Sequence, residues 1–84
     1  MTVLYFSTSW CGPCKVFKPV VQQVSQETGV AVQFIDAETS PLAQTYQVTS
    51  VPTIIALDNM NNIAFRHTGV MGKPQLNTVF SKFN

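Results

Sequence analysis

Val3-Leu4-Tyr5-Phe6-Ser7-Thr8-Ser9-Trp10-Cys11-Gly12-Pro13-Cys14 runs from a short apolar stretch into a helix start, with one cysteine on either side of Gly-Pro. Val3 to Phe6 is β-rich and continuously apolar, which suits a strand buried on both faces, and Ser7-Thr8-Ser9 ends it. From about Gly12 to Thr28, Val16, Phe17, Val20, Val21 and Val24 recur at helical spacing, while Lys15, Lys18, Gln22, Gln23 and Glu27 take the other side. Gly29 is the expected stop signal. Pro13 suits the first turn, whose N–H groups have no partner within the helix. Pro19 falls inside the helix, where it removes a backbone hydrogen bond at about 3 kcal/mol or more, and predicts a kink.

Val30 to Ile35 reads as a second buried-type strand. Strand, helix, strand in so short a span is a βαβ unit, so the two strands are expected parallel with a right-handed crossover. Thr39 to Tyr46 is a weaker helix, with Ser40 as cap and Pro41 in its first turn. Thr53 to Leu57 and Ile63 to His67 form a hairpin about the turn Asp58-Asn59-Met60-Asn61-Asn62. After Gly69 and Gly72 comes a last helix carrying Leu76, Val79, Phe80 and Phe83 on one stripe. The order is βαβ-α-ββα, an α/β pattern without repeats, linkers or low-complexity segments, so residues 1–84 are expected to form one domain.

With 84 residues and 45% apolar content, the fold must rest on hydrophobic burial, because two cysteines cannot supply a disulfide framework. Net charge is +1, and Lys15, Lys18, Arg66, Lys73 and Lys82 are spread along the chain. No basic run is available to release counterions from a phosphate backbone, which argues against nucleic acid as a partner. No stretch approaches the roughly 20 apolar residues of a membrane span. Met1 to Phe6 lacks the basic flank and the apolar length of a signal peptide. A cytoplasmic protein is expected, and there a Cys-x-x-Cys pair is catalytic or metal-binding rather than structural.

Disulfide exchange requires a thiolate, and a free cysteine near neutral pH is mostly thiol. Cys11 lies where unpaired backbone N–H groups and the positive end of a helix dipole face its sulfur. Gly12 keeps the approach to it open. Cys14, three positions on, shares a helix face with Cys11 and supplies a second thiol at high effective concentration. A zinc site would need about four ligands, and two cysteines with the lone His67 do not provide them. Pairing Cys11 with His67 as a nucleophile lacks an orienting Asn or Asp nearby. A purely structural Cys11–Cys14 disulfide would close too short a loop to stabilise much.

Trp10-Cys11-Gly12-Pro13-Cys14-Lys15 resembles the thioredoxin active-site motif in full. Pro19, five residues past Cys14, resembles the helix-kinking proline of thioredoxins. Ser50-Val51-Pro52-Thr53 is similar to their cis-proline loop, and Gly69 to the glycine beside the substrate groove. The resemblance implies a thioredoxin-like fold: a four-stranded mixed sheet, order 2-1-3-4, flanked by helices. It implies Cys11 as the exposed attacking thiol and Cys14 as the buried resolving one, supported by Trp10, Gly12, Pro13 and a cis Pro52. Val51 would pair with an extended substrate segment, with Trp10, Pro52, Thr53, Gly69 and Val70 completing the docking face. The activity implied is reduction of protein disulfides by dithiol exchange in cell redox homeostasis. A thioredoxin reductase or similar donor would recharge it, with no metal or organic cofactor beyond the redox-active disulfide, and the protein would act as a monomer. A glutathione-dependent, glutaredoxin-like reductase, with Lys15 and Arg66 on glutathione, is the nearest alternative. A non-catalytic docking subunit is another.

Three departures from the family pattern stand out. The strand and helix that open most thioredoxins have no counterpart, which implies a minimal core, as in glutaredoxins and the short thioredoxins of phages and archaea. The buried aspartate six residues before the first cysteine is replaced by Tyr5. Its lysine partner is replaced by Gln33 or Phe34. Water, or else Asp36 or Glu38, would then take the proton of Cys14.

Overall fold

The computed structural model describes residues 2–82, in the order β1 (Thr2–Ser7), α1 (Gly12–Thr28), β2 (Ala31–Asp36), α2 (Leu42–Thr45), β3 (Thr53–Leu57), β4 (Ile63–Thr68) and α3 (Lys73–Lys82). The strands form one mixed sheet, β2-β1-β3-β4. β1 runs parallel to β2, with Tyr5 opposite Phe34, and antiparallel to β3, with Tyr5 opposite Ile54. β3 and β4 are the antiparallel hairpin, and their register shifts between Ala56 and Leu57.

Strand alternation sorts the apolar residues into two cores. Val3, Tyr5, Ile54 and Ala56 face α1 and α3, where Phe17, Val21, Val24, Leu76 and Phe80 meet them. Leu4, Phe6, Ile55 and Leu57 face the other way, onto Ile35 and Ala43 of the α2 side. β1 and β3 are covered on both faces, which is why both read as unbroken apolar runs.

β2 departs from the expectation of a buried strand. It is an edge strand in which only Ile35 is buried, Val32 is half-buried, and Ala31, Gln33, Phe34 and Asp36 are exposed. The single turn of α2 reaches Ile35 but leaves the start of β2 open. Val16 departs likewise: it is exposed, because the buried face of α1 follows Cys14, Phe17, Val21 and Val24 and position 16 points off that line. α2 is shorter than the Thr39–Tyr46 expected. Ser40 still accepts the Leu42 N–H at 3.2 Å, but Gln47 turns the chain with φ 56° immediately after Tyr46. On α3, Leu76 and Phe80 are buried and Val79 packs against them, while Phe83 lies outside the described residues.

Gly29 ends α1 in the left-handed region, φ 75°, with its N–H on Ser25 O at 2.9 Å. A Cβ there would meet no atom within 4 Å, so the demand on this glycine is conformational. Gly29→Ala is expected to cost about 1 kcal/mol and lower the melting temperature by roughly 4–8 °C, readable in a thermal melt. An unchanged melt would show that the helix end relaxes into another cap.

Candidate active site at the start of the first helix

Cys11 is the cap residue of α1, in an extended backbone (φ −84°, ψ 107°). Its N–H donates to Thr8 O and its O accepts the Lys15 N–H, each at 3.3 Å. Its Sγ accepts the Cys14 N–H at 3.1 Å, the place a capping oxygen takes in other helices. Cys11 and Cys14 are joined as a disulfide, with their Cα atoms 5.2 Å apart. No acidic residue stands in the first turn, so nothing there opposes a sulfur anion.

Cys14 is buried at 2% exposure, and Cys11 is buried too, at 5%. The expectation of an exposed Cys11 is therefore corrected for the disulfide form: the bond to Cys14 and the N–H contact fold its sulfur onto the first turn. A Cβ at Gly12 would project into open space, so packing does not demand that glycine. Pro13 lies in the first turn, where its missing N–H breaks no ladder bond.

The remaining candidates gather around this turn in part. Trp10 is 68% exposed and lines a cavity of about 220 Å³ with Val51 and Glu38. The Val51–Pro52 peptide bond is cis. Pro52 O accepts the N–H of Gly69, at 2.8 Å, and Gly69 has a φ of 101° that favours glycine. Thr53 Oγ1 donates to Ser50 O at 2.7 Å and lies 3.3 Å from Thr68 Oγ1. Val70 is exposed beyond Gly69. His67 is half-buried, its Nε2 3.4 Å from Val70 O. Among the described residues no group of three or more His, Cys, Asp or Glu could hold a metal ion, and no helix is long and apolar enough to cross a membrane.

A second, open cleft of about 330 Å³ reaches Cys14 from the side of β2, with Lys15, Lys18, Phe34 and Asp36 on its walls. Lys18 Nζ stands 5.3 Å from the centre of the Phe34 ring. Glu38 belongs to the Trp10 cavity and not to this cleft, which separates the two carboxylates that the sequence leaves equivalent.

The contacts of two residues escape sequence reasoning. Tyr5, noticed only as a missing acid, donates its hydroxyl to Cys14 O at 2.9 Å, and burial pushes its pKa up to about 12. Position 5 on a doubly buried strand was the available signal. Arg66 of β4 donates Nη1 to Tyr46 O at 2.6 Å and Nη2 to Gln47 O at 2.7 Å, capping α2; no local sequence pattern marks that pairing.

The family model for thioredoxin matches residues 1–82. The thioredoxin of Mycobacterium tuberculosis is 36% identical over 74 residues, covering 84% of this chain and 63% of that protein. The chain thus spans under two thirds of that relative's length. A protein of Mycobacterium leprae described as a bifunctional thioredoxin reductase/thioredoxin is 35% identical over 74 residues, 84% of this chain and 16% of its own. Among solved structures, a mutant thioredoxin from Halobacterium salinarum superposes with a TM-score of 0.91 at 28% identity, covering 98% of this chain and 73% of that one. A family model spanning nearly the whole chain, on this sheet order and this cysteine pair, places the chain in the thioredoxin family.

Proposed function

We propose that the protein is a thiol–disulfide oxidoreductase that reduces protein disulfides through Cys11 and Cys14. The observation that carries it is the Cys14 N–H on Cys11 Sγ at a helix start, with the second sulfur within bonding reach. In the dithiol form, the Cys11 thiolate attacks one sulfur of a substrate disulfide. A mixed disulfide forms, and the substrate's other sulfur leaves as a thiolate. Cys14 gives up its proton, and its thiolate attacks Cys11 Sγ. The substrate's second sulfur leaves, the Cys11–Cys14 disulfide forms, and two electrons have passed to the substrate. No metal or organic cofactor enters these steps.

Trp10, Val51, Pro52, Thr53, Gly69 and Val70 are read as the docking face, with Gly12 and Pro13 completing the active-site turn. The exposed Trp10 and Val70 supply apolar contact, and Val51 backbone would pair with an extended segment. A thioredoxin reductase is the electron donor proposed, in line with the fused relative from Mycobacterium leprae. Cysteine usage fits a reducing, cytoplasmic setting, with the protein acting as a monomer.

Insulin reduction, run in parallel with a thioredoxin reductase and with glutathione, tests the assignment. Turnover is expected with the reductase. Turnover with glutathione alone would move the protein to the glutaredoxin-like reading, which the engagement of Arg66 with two carbonyls disfavours. The open cleft gives water access beside Cys14, so water is the proton acceptor proposed. Asp36→Asn and Glu38→Gln are accordingly expected to leave the pH–rate profile unchanged. A lost limb in Asp36→Asn alone would assign the proton to that carboxylate.

A further inference from the structure

The mechanism leaves the buried Tyr5 hydroxyl without a task. Tyr5 sits at the middle of the sheet, fully buried, its ring in edge contact with Phe17 at 5.9 Å and Phe34 at 5.5 Å. From there it reaches Cys14 O, on the residue whose N–H holds Cys11 Sγ. We propose that Tyr5 is a positioning residue: its hydrogen bond to Cys14 O fixes that stretch of backbone so that the Cys14 N–H stays aimed at Cys11 Sγ and stabilises the thiolate. The proposal rests on Cys11 being the attacking sulfur.

The helix explains why the anchor is needed here. Pro19 has no N–H to give to the carbonyl of Lys15, four residues back. The ladder is therefore broken one residue beyond Cys14. Tyr5 adds a donor from outside the helix at the residue bordering the gap. The bond also polarises the peptide whose N–H, on Lys15, donates to Cys11 O at 3.3 Å. Cys11 is thus gripped twice, at its sulfur by Cys14 and at its carbonyl by Lys15, and Tyr5 braces the peptide between the two donors. The phenol cannot act instead as the proton acceptor, since it is already a donor and remains neutral well above neutral pH.

The charged groups lining the two cavities beside this turn are Lys15 and Lys18 of α1 and Asp36 of β2, with Glu38 beside Trp10; β3 carries none. All are unchanged in a Tyr5 variant, so their effects cancel in the comparison.

The experiment is the pH dependence of Cys11 alkylation by iodoacetamide in the reduced protein, for the parent and for Tyr5→Phe. The midpoint is expected to rise by about half a pH unit, which slows alkylation below it about threefold. A ring-fluorinated tyrosine at position 5, introduced into a Tyr46→Phe chain, keeps the shape and strengthens the donor. Its midpoint is expected to fall relative to Tyr46→Phe, and this comparison decides the matter should Tyr5→Phe not fold. Equal midpoints in Tyr5→Phe and the parent, with only a lower melting temperature, would reduce Tyr5 to a structural part and overturn the proposal. A Cys11 that resists alkylation in every form removes the attacking-sulfur reading, and this assignment with it.

Discussion

Cys14→Ser is expected to lower steady-state disulfide reduction by at least about a hundredfold, because the proposed mechanism releases the substrate with that intramolecular thiol. The first step should survive. The N–H that supports Cys11 Sγ belongs to the backbone of position 14 and stays in place with serine. The variant should therefore attack once and stop, accumulating one covalently bound substrate per molecule. Intact-mass measurement before and after adding dithiothreitol reads this directly. Cys11→Ser should show neither turnover nor adduct. Sustained turnover by Cys14→Ser without an adduct would mean that release does not use the second sulfur.

The second large effect concerns the core beneath the site. Phe80 is completely buried, packed with Val3, Phe17, Val21, Val24 and Leu76 where α3 meets α1 and the sheet. Phe80→Ala removes a full aromatic side chain and leaves a cavity the neighbours fill only partly, at about 3–5 kcal/mol. A domain of this size holds roughly 4–13 kcal/mol in all, so the loss takes a large part of it. The melting temperature should drop by about 15 °C or more in a calorimetric scan. A drop below about 5 °C would show that α3 contributes little to the core.

Where local chemistry decides, the residues reveal the structure well. α1 runs from Gly12 to Thr28 as its periodicity predicts, and Gly29 caps it, because both features depend on neighbours within a few positions. β3 and the hairpin follow for the same reason. What the chain does not display locally is which strand lies at an edge. An apolar run such as Val30 to Ile35 looks the same at the rim of a sheet as at its centre, so β2 is misplaced in burial although not in kind. The site shows the same division. Its two cysteines are plain from spacing and from the helix start, while the burial of Cys11 in the disulfide form is not, and the bonds of Tyr5 and Arg66 join positions 9 and about 20 residues apart.

The loop bearing Val51 and Pro52 is fastened to β4 at both ends, by Arg66 on the carbonyls of Tyr46 and Gln47 and by Gly69 and Thr68 on Pro52 and Thr53. On the docking face proposed above, a guest strand would meet a host already held in shape, so the loss of freedom on docking would fall on the guest. Disulfides in slack, half-unravelled stretches would lose the most freedom, and those in stiff loops already held extended would be taken up most readily.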